Sequence, residues 1–224
     1  MTAATLKRRI TEIFENLFPT ATEPELDLVP RSLTDGKMYE AYILAVLSRD
    51  LVRREGMSLR LLNGNFIQLK SGCGGINRTY PRIEAYRGGR IIGELWTDIE
   101  FLTLSFSRSA RSSPRRGHFH ELDIVMVTPG VTGRPTNSQV LLGAECKNLM
   151  YEKGLLKEIL GVRRELSLLQ KPQRTVFNSW PRISVPADPA SCLLVYASSE
   201  EIMEYSDPGE VFGIDFFYEP LPTI

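Results

Sequence analysis

Two apolar segments, ELDIVMV at residues 121–127 and LLGAECK at residues 141–147, decide how this chain is read. Both have the length and apolar content of central strands. Side chains alternate along a strand, so Glu121, Asp123 and Val125 share one face of the first segment, while Leu122, Ile124 and Met126 take the other. In the second, Glu145 and Lys147 share a face and Cys146 points the opposite way. Charges on such strands are costly unless they are paired or bind something. Carboxylates brought together across neighbouring strands repel, and a hard divalent cation such as Mg2+ is the usual remedy. Lys147 can then orient an attacking water or offset developing charge.

Outward from this pair, the periodicity predicts a helix from Lys37 to about Arg54, with Thr34 or Asp35 as its cap. Glu40, Leu44, Leu47 and Leu51 follow i, i+4, i+7, i+11, so Glu40 extends the apolar stripe toward the sheet. A rim glutamate favoured by the helix dipole is the competing reading. Leu6, Ile10, Ile13 and Leu17 predict a shorter amphipathic helix over 4–18, and the prolines of 19–36 predict a loop. The period then changes to two. Leu59–Leu62 and Phe66–Leu69 flank Asn63-Gly64, and Ile83–Tyr86 and Arg90–Phe106 flank Gly88-Gly89, both hairpin signals around the Gly-rich stretch 71–81. Residues 107–118 (SRSARSSPRRGH) form a basic loop leading into the first quoted strand. After the second, a helix is expected over Glu152–Gln170, with Leu155, Ile159, Val162, Leu166 and Leu169 on one stripe and Pro172 ending it. Ser191–Ala197 reads as a buried strand, Ser199–Tyr205 as a short helix and Val211–Tyr218 as a last strand. The order from Lys37 is helix, antiparallel strands, helix, strand: an α/β layer with a mixed sheet.

Composition sets bounds. A chain of 224 residues with 42% hydrophobic and 24% charged residues fits one domain with a sizeable core. Lys+Arg and Asp+Glu both number 27, so bulk charge predicts no polyanion partner, although a local basic surface would suffice for one. Cys73, Cys146 and Cys192 are few and far apart with no CxxC, which argues against a disulfide framework or zinc ribbon and for a reducing, cytoplasmic setting. No apolar run reaches the roughly 18 residues of a membrane span, and no apolar core of a signal peptide follows the N-terminal charges.

The acid on one strand and the E-x-K on the next resemble the PD-(D/E)xK, or restriction-endonuclease-like, nuclease superfamily, over about residues 37–197. Asp123 matches the first acid and Glu145-Cys146-Lys147 the E-x-K; Leu122 stands where the pattern is named for proline. The resemblance implies an αβββαβ core with a mixed central sheet flanked by helices, within a single domain spanning 1–224. The N-terminal helix and linker (1–36), the extra β-hairpins and the C-terminal extension (198–224) would be additions to it. It implies hydrolysis of phosphodiester bonds with Mg2+ or Mn2+ held by Asp123, Glu145 and the Cys146 carbonyl. Glu40 would be an outer ligand, and Lys147 would act on the attacking water. DNA is expected ahead of RNA as the substrate, dimerisation as a means of spanning a duplex, and restriction, repair or defence as the setting. The alternative is a catalytically inactive nucleic-acid- or protein-binding module of the same fold; another rival is a hydrolase of a small phosphorylated substrate.

Several residues are candidates for binding phosphate. Arg108, Arg111, Arg115 and Arg116, with no acid among them, precede Asp123, and Lys153, Lys157 and Arg164 line the polar face of the helix that leaves Lys147. Flexible loop and ordinary solvated helix are the bland readings. His118 and His120 are too few for a zinc site and are expected as substrate contacts or strand-edge residues. Glu94, Asp98 and Glu100 read chiefly as a solvated strand face from which one acid could approach the metal, and Ser71-Gly-Cys-Gly-Gly lacks the GK[ST] of a phosphate loop.

Overall fold

The structure is a computed structural model in which residues 3–18, 34–64, 69, 72–148 and 153–221 are described. Helix α1 (Ala3–Leu17) buries Leu6, Ile10, Ile13 and Phe14 against α2 (Asp35–Arg53). Each such side chain removed from water contributes about 1.5–3 kcal/mol. Helix α2 begins where Thr34, in extended conformation, accepts a hydrogen bond from the Lys37 N–H through its side chain at 3.4 Å. The linker 19–33 lies outside the described residues.

Seven strands form one mixed sheet, ordered β1 (Ser58–Leu62), β2 (Arg82–Arg87), β3 (Arg90–Leu102), β4 (Phe119–Val127), β5 (Val140–Lys147), β8 (Cys192–Ala197) and β9 (Ile214–Tyr218). Pairing is antiparallel from β1 to β5 and parallel from β5 through β9. Gly88 and Gly89, both at positive φ, close the β2–β3 hairpin as the sequence predicts. Strand β1 pairs with β2, and most of the partner expected for it at Phe66–Leu69 lies outside the described residues.

The sheet has a packed layer on each face. Helices α1 and α2 cover Ile83, Leu95, Ile124, Met126, Leu142, Ala144 and Leu194. Helix α4 (Lys153–Leu166) covers Trp96, Ile99, Phe101, Leu122, Val125, Leu193 and Val195 with Ile159, Val162 and Leu166. The strand expected to end at Phe106 stops at Leu102, where Thr103 caps the short helix α3 (Leu104–Ser107). Basic residues 108–115 follow, then a 3-10 turn at Arg116–His118.

Helix α4 ends at Leu166, not at Gln170, so Leu169 does not complete the stripe and stands 55% exposed. Residues beyond it join β6 (Leu168–Arg174), which pairs with β7 (Ser184–Asp188) in a two-stranded ribbon. Pro172 sits in the register irregularity between Leu169 and Gln173, the place where a strand tolerates a missing N–H. A 3-10 turn (Glu200–Tyr205) and helix α5 (Ser206–Val211) then lead into β9. Among the described residues, no helix is long and apolar enough to cross a membrane.

One buried carboxylate ties distant parts of the chain together. Glu55, just past α2, accepts hydrogen bonds from the backbone N–H groups of Asn178 (2.6 Å), Ser179 (2.8 Å) and Trp180 (2.8 Å), and pairs with Arg87. These donors hold its carboxyl below the ordinary glutamate range against the opposing effect of burial. Truncation leaves three donors and a guanidinium without their acceptor. Glu55→Ala is therefore expected to destabilise the fold by about 3–5 kcal/mol, read as a lower urea midpoint at unchanged m-value.

Candidate functional site

The β4 and β5 segments meet as the alternation requires at one end and depart from it at the other. Their pairing runs Met126–Leu142, Val125–Gly143, Ile124–Ala144, and stops there. One step further, Asp123 and Glu145 stand level on strands that no longer pair. The orphaned N–H of Cys146 donates to Asp123 Oδ2 at 2.7 Å. A side-chain carboxylate thus takes the place of the next ladder bond.

At this rung the faces change over. Leu122 packs with Val125 and Val127 on the α4 side rather than with Ile124 and Met126, against the expected alternation. On β3 the same slip separates Leu95, on the α2 side, from Ile99 and Phe101, which lie with Trp96 on the α4 side. It falls at Asp98, whose φ of 54° is a left-handed conformation that aspartate tolerates better than most residues. Asp98 lies between the paired rungs Thr97–Ile124 and Ile99–Leu122, hence opposite Asp123. Gly143 makes room for the displaced Leu122, since a Cβ there would meet the leucine methyls at 2.9 Å.

Asp98, Asp123 and Glu145 therefore form a row across β3, β4 and β5. Helix α2 supplies two more charges. Lys37 Nζ lies 2.6 Å from Glu40 Oε2 and also bonds Asp98 Oδ1. Lys147 Nζ lies 3.0 Å from Glu145 Oε2 and 3.5 Å from Glu158 of α4. Asp98 is fully buried and Glu94 is 1% exposed, so the face expected to be solvated is not. Glu94 is held by Arg78 at 2.7 and 2.9 Å, and Glu100 by Arg134 at 2.6 Å. Glu121 sits at the rim, where partial loss of water together with Asp98 and Asp123 raises its pKa against the Cys73 thiol's hydrogen bond.

The electrostatics follow from crowding acids in a dry place. Burial, reinforced by Asp123 and opposed by Lys147, pushes Glu145 up to about 8. Burial also pushes Glu40 up to about 7, against its bond to Lys37 and with the help of Asp123 and Asp98. Asp123 is raised by burial despite the Cys146 N–H. Burial disfavours the charged forms of Lys37 and Lys147, but their carboxylate partners outweigh it and raise both pKa values. Ionised Glu40, Asp98, Asp123 and Glu145 against two ammonium groups leave two negative charges, the charge of one divalent ion. The donors are hard oxygens, which suit Mg2+ or Mn2+. Among the described residues no three acidic, histidine or cysteine side chains already converge as a cage; lysines stand between them.

The other expected residues divide. Arg108, Arg111, Arg115 and Arg116 are exposed at the sheet end where β4 begins, with the His118 ring tilted against Phe106 at 5.2 Å. Strand rise puts that end, four residues away, about 14 Å from Asp123. His120 packs near Phe101, not on the carboxylates. Lys157 is exposed on α4, and the Lys153 side chain lies outside the described residues. Arg164 lies beside an apolar cavity at the far end of α4. Lys37 escapes the sequence reading, and Asp98 is not singled out there from Glu94 and Glu100 as the acid that approaches the site. The available signals are an aspartate inside a long β-branched and aromatic strand and a lysine three residues before Glu40 on one helix.

No protein-family model, curated protein or solved structure matches the chain.

A carboxyl whose folded pKa stands above its unfolded value binds more protons when folded, so its contribution to stability is lost as pH rises from about 4.5 to about 8. The lysines lose theirs only above about 10.5. In divalent-free buffer the melting temperature should fall between about pH 5 and about pH 8, and Glu145→Gln should flatten that fall. Calorimetry across this range checks it; an unchanged slope in the variant would contradict it.

Proposed function

We propose that the chain is a metal-dependent nuclease that hydrolyses phosphodiester bonds in DNA, built on a restriction-endonuclease-like core. The observation that carries this reading is the Asp98–Asp123–Glu145 row, with Glu40 above it and Lys147 beside Glu145. Asp123, Glu145 and the Cys146 carbonyl would hold Mg2+ or Mn2+, with Glu40 outside them. The bound ion would supply Lewis acidity toward a phosphate oxygen. Lys147 then orients the attacking water and offsets the charge that builds as water adds to phosphorus and the ester oxygen leaves. Lys37, between Glu40 and Asp98, fixes the helix carboxylate at the sheet.

The exposed arginines of residues 108–116 would follow the nucleic-acid backbone about four nucleotide steps, at about 3.4 Å each, from the reacting phosphate. A homodimer would let two sites address a duplex, in a restriction, repair or defence setting. The three cysteines are unpaired, which suits a reducing compartment. The second reading, an inactive module of the same fold, rests on the ion pairs Lys147–Glu145 and Lys37–Glu40, which neutralise two carboxylates without any metal.

Purified protein with Mn2+ should cut plasmid or single-stranded DNA, and Lys147→Ala should abolish cutting while the variant keeps a cooperative thermal melt. Tight Mn2+ binding with no cleavage of any nucleic acid would exclude the nuclease and leave the binding module. In the Lys147→Ala background, replacing the four arginines by alanine should weaken duplex binding. It should also reduce the slope of log Kd against log salt by about 0.9 for each phosphate no longer neutralised; fluorescence anisotropy at several salt concentrations measures both.

A further inference from the structure

The carboxylate site does not use the cavity at the other end of α4. This cavity, about 330 Å3, is bounded by Leu160, Arg163, Arg164 and Ser167 at the end of α4, Leu169, Pro186 and Ala187 of the β6–β7 ribbon, and Phe212 after α5. Its walls are chiefly apolar. Leu169 and Phe212 are exposed at 55% and 36%, and Val211 beside Phe212 at 61%. Large apolar side chains left in water around a concave opening mark a binding surface.

The charge in this cavity is one-sided. Arg163 is 4% exposed, yet its described partners are all neutral: Ser191 O at 2.8 Å, Ser191 Oγ at 3.1 Å and Ser167 Oγ. Burial pulls its pKa down only to about 10, so the guanidinium stays charged at neutral pH. Arg164, at the mouth, is exposed and has no ion pair among the described residues, and none of the lining residues is an acid. Among acids close to lining residues in the chain, Asp188 and Glu210 are exposed and Glu165 accepts from the Ser105 N–H, and none of the three lines the cavity. A buried cation without a counter-ion is a poor way to fasten a helix end, because neutral partners leave the desolvated charge uncompensated. A carboxylate entering from solvent would compensate it, and a guanidinium has donors in a fork that matches a carboxylate.

We propose that this cavity binds a small monocarboxylate with an apolar tail, the acid group meeting Arg163 and Arg164 and the tail lying against Leu160, Leu169 and Phe212. Such binding is independent of nuclease activity, since it uses none of the carboxylate-site residues.

Octanoate and its neutral counterpart 1-octanol test it by titration calorimetry and thermal shift on the full chain. Octanoate should bind saturably and raise the melting temperature, and octanol should bind at least about tenfold more weakly, as expected if a charged hydrogen-bonded pair is removed. Leu160→Trp, which fills the cavity but keeps both arginines, should abolish octanoate binding. Arg164→Ala should weaken it, and Arg163→Gln should erase the preference for acid over alcohol. Absence of saturable octanoate binding, equal binding of the two probes, or undiminished binding in Leu160→Trp would overturn the proposal. So would concentration-dependent self-association that Phe212→Asp abolishes and octanoate leaves unchanged, since the groove would then be filled by a second copy.

Discussion

The hydrogen bond from the Cys146 N–H to Asp123 is the constraint on which the site depends. Two central strands cannot simply stop pairing inside a protein, because each unpaired buried backbone group costs about as much as a missing hydrogen bond. Here the ladder between β4 and β5 ends at Ile124–Ala144, and the Asp123 carboxylate accepts the next donor. The strands can then part without leaving that amide bare. Beside that break Glu145 and Lys147 project on the α4 side, where Lys147 also meets Glu158.

That substitution has a consequence on the opposite edge of β4. Strands β3 and β4 stay in step through the whole interval from Glu94–Val127 to Leu102–Phe119. Both strands change faces at the same rung, β4 at Asp123 and β3 at Asp98, so the pairing survives while the side chains are re-sorted between the two layers. Two acids end up across from each other beneath α2. Lys37 makes this tolerable by bonding both Asp98 and Glu40, and Lys147 does the same for Glu145 from the other side. Burial, with Asp123 adding to it, still raises the pKa values of Glu40 and Glu145. A protein that needed these residues only for stability would gain by replacing such a cluster with apolar side chains. Retaining it is sensible where a cation is to be held.

Helix α4 links two regions of different character. Its middle meets Lys147 through Glu158, and its last turn carries Arg163 over an apolar cavity. The helix ends early because the chain beyond it is drawn into a ribbon with β7, and the same ribbon forms the cavity wall. Glu55 holds the loop leading to β7 from the far side, through the amides of Asn178, Ser179 and Trp180. The site and the cavity are thus both by-products of how buried polar groups are satisfied.

Much of the layer order is written in local pattern. The period-two runs locate β3, β4 and β5, the leucine stripe of α2 puts Glu40 at the sheet, and E-x-K on an apolar strand puts Glu145 and Lys147 side by side, because these depend only on spacing within one element. The tertiary structure alone decides what crosses between elements. Asp98 reads as an exposed strand residue until the register sets it opposite Asp123, and Lys37 reads as a helix-start cation until α2 is laid on the sheet. Alternation puts Leu122 in the wrong layer because it is a rule for unbroken strands, and β4 changes faces at Asp123, level with the left-handed Asp98 of β3. Leu169 continues a helical stripe in the sequence, but pairing with β7 outweighs a propensity worth only tenths of a kcal/mol per residue. Local periodicity fixes which way a side chain faces within its element; which charges then meet is set by long-range packing, which no window of the sequence contains.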